Sequence, residues 1–125
     1  MDTFLRLLGL ERKRRGSQRA RIDWPVDLQT HQEDSYLAFS GKDISIDGVS
    51  IEGSLVEWNE LGTSRNTPGR IRIRVPIPGH PIEADAILKW ELKKDDDTTT
   101  GWEFIQLEHE DLQFIEAYVK EHAAN

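Results

Sequence analysis

A chain of 125 residues, 37% hydrophobic and 31% charged, has material for one domain and one core. It has no cysteine, which excludes disulfides, thiolate metal sites and thiol nucleophiles, and no apolar run near the roughly eighteen residues of a membrane-spanning helix. The net charge of −7 is unevenly placed: residues 1–21 hold seven basic and two acidic side chains, a net of +5, which leaves −12 for the other 104. An acidic body repels long nucleic acid, whose affinity comes from phosphate neutralisation; a short basic arm can still grip a small anion or an acidic partner.

The opening MDTFLRLLGLERKRR has an acidic residue at position 2 and no small-residue cleavage site after its apolar block. A signal peptide is therefore not expected, and with cysteine absent a cytoplasmic location is. Phe4, Leu5, Leu7, Leu8 and Leu10 have helical spacing, but residues 3–10 are too few to hold a helix alone. ERKRRGSQR follows, a charge run whose Gly16 and Ser17 read as a linker. Residues 1–13 are thus set apart as an N-terminal segment and basic arm, and residues 14–125 as the folded domain.

From residue 19 the period becomes two. Ala20, Ile22, Trp24, Val26 and Leu28 alternate with Arg19, Arg21, Asp23 and Asp27, a half-buried strand in which Pro25 predicts an edge or a bulge. Tyr36, Ala38 and Ser40 begin a second strand; Val49 and Ile51 mark a third after a turn at Asp47-Gly48. Residues 53–69 are loop-rich, with apolar Leu55, Trp58 and Leu61. RIRIRVPI at 70–77 alternates Ile71, Ile73 and Val75 with Arg70, Arg72 and Arg74. Ile82, Ala84 and Ala86 carry the pattern to Leu88 and Trp90, with a bulge near Ile87. LKKDDDTTTG reads as a polar hairpin loop, and Trp102, Phe104 and Leu107 as a last strand. Leu112, Ile115, Tyr118 and Val119 then form the apolar face of a terminal helix, with Asp111 and Lys120 suiting its dipole. Six or seven short strands and one helix predict an all-β antiparallel barrel with a helical lid.

Two short motifs could carry chemistry. Arg15 to Arg19 reads RxxxR, preceded by Arg14, and Asp43 to Gly48 reads DxSxxG. Each alone is weak, because basic runs are usually solvated and Asp, Ser and Gly are ordinary turn residues. Asp43, Ser45, Asp47 and Gly48 also mimic the start of a calcium loop, but Ser54 stands where the bidentate Glu belongs and strands flank the loop. His31, His80, His109 and His122 show no paired metal spacing, so no metal is expected. Nucleophile elbow, P-loop and HExxH patterns are absent. An enzyme of scattered carboxylates would leave no local pattern. Arg70, Arg72 and Arg74 read as a solvated strand face paired with Glu83 and Asp85.

Together and in this order, RxxxR and DxSxxG resemble the signature of the PilZ domain, the bacterial receptor module for cyclic di-GMP. The resemblance extends through Pro25-Val26, Val75-Pro76, Trp90, Gly101-Trp-Glu-Phe104 and the final helix, about residues 14–122. It implies a six-stranded barrel with a C-terminal helix, in agreement with the periodicity. It also implies a receptor without catalytic activity that signals to a protein partner, its arm closing on the ligand. Arg14, Arg15, Arg19, Asp43, Ser45, Gly48 and Trp90 would form the site. Arginine pairs with guanine O6 and N7, holds phosphate or stacks on a base. Asp43 would accept from guanine N–H donors, Ser45 would offer a hydroxyl, and Gly48 would let the turn come close. Trp90 would contact a guanine; a tryptophan closing the barrel end is the other reading. In this family an Arg just before RxxxR engages a second ligand, so Arg14 implies two cyclic di-GMP per chain. The alternatives are a PilZ-like adaptor that docks on proteins without nucleotide, whose family members typically lack several of these residues, and an unrelated barrel for single-stranded nucleic acid. The acidic strands count against the last.

Overall fold

The structure, a computed structural model, describes residues 18–30, 36–54, 58, 65–76 and 81–123. Six antiparallel strands close into a barrel: β1 (Ala20–Thr30), β2 (Leu37–Ile44), β3 (Gly48–Ser54), β4 (Pro68–Ile73), β5 (Ile82–Lys94) and β6 (Asp97–Leu107). Their order around the barrel is β1-β2-β3-β6-β5-β4, and β4 pairs back onto β1. One helix, α1 (His109–His122), follows. Closure gives every described strand a hydrogen-bonded neighbour on each side over part of its length, which limits the exposed edge an open sheet would present.

Period-two alternation builds the barrel core. Ala20, Ile22, Trp24, Val26 and Leu28 of β1 point inward and are buried, beside Ile71 and Ile73 of β4 and Ile82, Ala84, Ala86 and Leu88 of β5. The core also holds polar groups, some of them paired and others, the hydroxyls of Thr30, Ser50 and Thr98, buried without a hydrogen-bond partner. Trp102 donates its indole N–H to Thr100 Oγ1 at 2.8 Å, and Thr100 donates to the Ile51 carbonyl at 3.2 Å. Trp58 donates to the Thr98 carbonyl at 3.0 Å and stacks on Phe39 with ring centroids 4.3 Å apart. That tryptophan belongs to the stretch read as loop; it is a core residue, while Leu55 and Leu61 lie outside the described residues.

Two local expectations are corrected, the phase of β2 and the extent of the β5–β6 hairpin, and irregularities fall near Pro25 and Ile87 as expected. Pro25, expected at an edge or a bulge, follows a register shift between Arg21 and Trp24 and stands one residue before the β1–β4 ladder, which begins at Val26. In β2 the inward residue is Phe39, with Ala38 exposed and Tyr36 and Ser40 only half-buried, because pairing Val26 with Phe39 and Asp27 with Ala38 sets the opposite phase. The polar stretch after Trp90 is mostly strand: β5 runs to Lys94 and β6 starts at Asp97, leaving Asp95 and Asp96 as the turn. Asp95 takes a positive φ of 57°, which its short polar side chain tolerates. In β5 the register shifts lie on either side of Ile87, between Asp85 and Ala86 and between Leu88 and Trp90.

The helix packs as its periodicity predicts, with Ile115 and Val119 buried. Tyr118 meets Trp24 edge-on at 4.9 Å, and Ala123 bridges to Ala20. Asp111, in the first turn, is itself buried.

Candidate functional site

The antiparallel register brings the two motifs together. Ala20 pairs with Ile44 and Arg21 with Asp43, so Arg19, one step before β1, arrives beside the turn that follows β2. Its Nε donates to Asp43 Oδ1 at 2.6 Å, and its Nη1 donates to Ser45 Oγ at 3.2 Å. The side chains of Arg19 and Asp43 remain 44% and 35% exposed, so the pair is presented to solvent rather than sealed.

Ser45 is fully buried. Its Oγ also accepts the Asp47 backbone N–H at 3.1 Å, and its own N–H donates to the Gly48 carbonyl at 2.9 Å. The hydroxyl thus shapes the turn and meets Arg19. Gly48 opens β3 opposite Glu103 of β6. A Cβ there would run into the Trp102 carbonyl, so the close approach this glycine permits is that of a neighbouring strand.

The same register continues across β6 to β5, where Gly101 pairs with Trp90. Trp90 is 47% exposed, and its indole covers Gly101 so closely that any Cβ at 101 would overlap the ring. The barrel-end core reading of Trp90 is therefore set aside: the shift between Leu88 and Trp90 turns the ring outward. Arg19, Gly48 and Trp90 line one open cleft of about 350 Å³, together with Asp47, Lys89 and Glu103. Asp43 and Ser45 reach it through Arg19. Arg14 and Arg15 lie outside the described residues.

Lys89 and Glu103 escaped the motif reading. They face each other at 3.6 Å across β5 and β6. The only advance signals were their adjacency to Trp90 and their place in the Gly101–Phe104 segment. The cleft's described cations, Arg19 and Lys89, are thus each matched by a carboxylate.

The arginine stripe on β4 and just after it is a paired face. Arg70 binds Asp85 at 3.0 Å and Glu83 at 3.2 Å, and Arg74 binds Asp27 at 3.0 Å. The hydrogen bond to Asp85 above all holds Arg70 above the ordinary arginine range. Arg72 lies over the Tyr36 ring at 4.3 Å. Among the described residues no group of His, Asp and Glu is arranged to hold a metal, and no helix is long and apolar enough to cross a membrane.

The family model for the PilZ domain matches residues 13–121. No curated protein matches the chain. Among solved structures it is similar to the Bacillus subtilis inhibitor of motility MotI/DgrA, with 17% identity and a TM-score of 0.72 over 90% of this chain and 51% of that one. It is similar to K. pneumonia MrkH in complex with c-di-GMP, with 18% identity and a TM-score of 0.66 over 90% and 52%. It is also similar to the PilZ domain of Escherichia coli YcgR with c-di-GMP, with 12% identity and a TM-score of 0.65 over 88% and 92%. At these identities the likeness is one of fold. The chain spans about half the length of the MotI/DgrA and MrkH chains and nearly all of the YcgR domain.

Proposed function

The chain belongs to the PilZ domain family, and on that premise we propose that it is a receptor for cyclic di-GMP with no catalytic step of its own. The observation that carries the reading is the Arg19 guanidinium, held by Asp43 and Ser45 at the rim of the cleft that Trp90 lines. A clamped guanidinium offers a fixed plane and its remaining N–H donors, the geometry that suits guanine N7 and O6 or a phosphate. A half-exposed indole offers a stacking face for a base.

Arg14 and Arg15 supply the charge the cleft itself lacks. Their closure over a bound dianion would order the arm, and that ordering would be the signal read by a protein partner. With Arg14 before the motif, two ligands bind per chain. The proposed setting is cytoplasmic.

Selectivity tests the reading. Cyclic di-GMP should bind with cyclic di-AMP and GMP failing to compete at equal concentration, because only two guanines on one dianion engage both arginine and indole. Equal competition by cyclic di-AMP would reject guanine recognition. Absence of binding by all three would favour the adaptor that works through protein contacts alone.

A further inference from the structure

The cleft that Trp90 lines holds a carboxylate that neither motif contains, Glu103. A guanine base has an accepting edge, O6 and N7, which suits Arg19. Its other edge donates, through N1–H and the 2-amino group, and needs an acceptor. A carboxylate presents two acceptor oxygens side by side, which matches two adjacent donors. Asp43 already takes the Arg19 Nε on Oδ1 at 2.6 Å and reaches the cleft only through that arginine. Asp47, in the turn, has contacts of its own.

Glu103 is placed for that role. Trp102 before it is buried in the core, so Glu103 points outward from β6, with its side chain 57% exposed. Gly101 shares that outer face two residues earlier and lies under the Trp90 indole. Two strand residues span roughly 6–7 Å, so the carboxylate stands next to the ring along one face. Gly48, paired with Glu103 from β3, places no side chain beside it. Among the described residues the carboxylate meets only Lys89 Nζ, at 3.6 Å. That is an ion pair longer than a hydrogen bond, which leaves both oxygens open to donors. Lys89 also offsets the charge that Glu103 would otherwise set beside the phosphates of a ligand.

We propose that Glu103 reads guanine in this cleft: its carboxylate accepts from N1–H and the 2-amino group of a base stacked on Trp90, while Arg19 meets O6 and N7. The assignment rests on the receptor reading and deepens it. It makes Glu103 a specificity residue outside both RxxxR and DxSxxG. Adenine carries a lone pair at N1 where guanine carries N1–H, so the carboxylate that binds one base repels the other.

Cyclic di-IMP isolates the contact, because inosine differs from guanosine only in lacking the 2-amino group. Calorimetry compares it with cyclic di-GMP on the native full-length chain and on Glu103→Gln, in which one acceptor oxygen becomes a donor. The native chain should prefer cyclic di-GMP by about tenfold or more, since a charge-assisted hydrogen bond is lost with the amino group. In Glu103→Gln the preference should fall to about twofold or less, as the charge assistance goes. Glu103→Ala repeats the comparison with no amide in the way. The exposed Lys89–Glu103 pair adds little to stability, so both variants should melt close to the native chain. A native chain that binds the two ligands equally, or a preference that survives in both variants, would overturn the assignment and leave the receptor reading intact. A native chain that binds neither ligand would fail the receptor reading itself, and the assignment with it.

Discussion

Arg19 is clamped by a carboxylate 24 residues further along the chain: its Nε donates to Asp43 Oδ1 at 2.6 Å, across the β1–β2 register. The pair is exposed, so it adds at most about 1 kcal/mol to stability. Its consequence is orientation, since a guanidinium already held in one plane loses less freedom when it meets a ligand.

That sets the first prediction. Arg19→Ala should remove a charge-assisted contact worth roughly 1.5–3 kcal/mol, a loss of tenfold to more than a hundredfold in cyclic di-GMP affinity. Asp43→Ala should weaken binding while leaving the melting temperature close to that of the native chain. The double variant should cost less than the sum of the two, because both act through one contact. Isothermal titration of the three variants checks it; strict additivity would mean that Asp43 does not act through Arg19.

The second prediction concerns Gly48. Its missing Cβ is required by the Trp102 carbonyl, so Gly48→Ala forces β3 away from β6 and should cost about 1–3 kcal/mol, as overpacking does. Urea denaturation should show the loss with no nucleotide present. A variant as stable as the native chain would return Gly48 to a purely ligand-facing role.

Trp90 should behave oppositely. Half-exposed, it adds little to the core, so Trp90→Ala should leave stability nearly unchanged. It should lower nucleotide affinity by the roughly 1–3 kcal/mol typical of a base stacked on an aromatic ring. Gly101→Ala should displace the indole and reproduce part of the binding loss, with a shift in tryptophan emission. Stability lost without affinity lost would make Trp90 structural.

Arg14 is predicted to set stoichiometry. Arg14→Leu should bind one cyclic di-GMP per chain where the native chain binds two. Saturation at the same ratio in both would remove Arg14 from the second ligand's site.

Arg70 is the control. Its contacts to Asp85 and Glu83 are exposed, so Arg70→Ala should cost no more than roughly 1 kcal/mol and leave nucleotide affinity unchanged. A binding loss matching that of Arg19→Ala would extend the site onto β4.

The strands that read clearly in the sequence are those whose inner faces are uniformly apolar, such as β1 with Ile22, Trp24, Val26 and Leu28. The phase of β2 did not, because Ala38 and Phe39 are both apolar and only pairing with β1 decides between them. The extent of the β5–β6 hairpin did not either: Lys93, Lys94, Asp97 and Thr98 carry no hydrophobic pattern, and it is the cross-strand register that places them in the sheet. Trp58 was hidden in a loop-like stretch, since its burial depends on Phe39 and on the Thr98 carbonyl, neither near it in sequence. At the site, Arg19, Asp43 and Gly48 were legible as motif residues because local spacing carries them. Which group each would meet was not: Ser45 turned inward and Gly48 met Trp102, both set by the β2–β3 turn packing on β6. Lys89 and Glu103 face one another only through the β5–β6 register.

The central claim is that Arg19, Asp43 and the arm arginines make this chain a cyclic di-GMP receptor. Isothermal titration with cyclic di-GMP of the native chain beside Arg19→Ala tests it most directly. The account predicts saturable binding at two nucleotides per native chain, and an affinity at least about tenfold lower in the variant. No heat of binding in the native chain, or the same isotherm from both proteins, would contradict it.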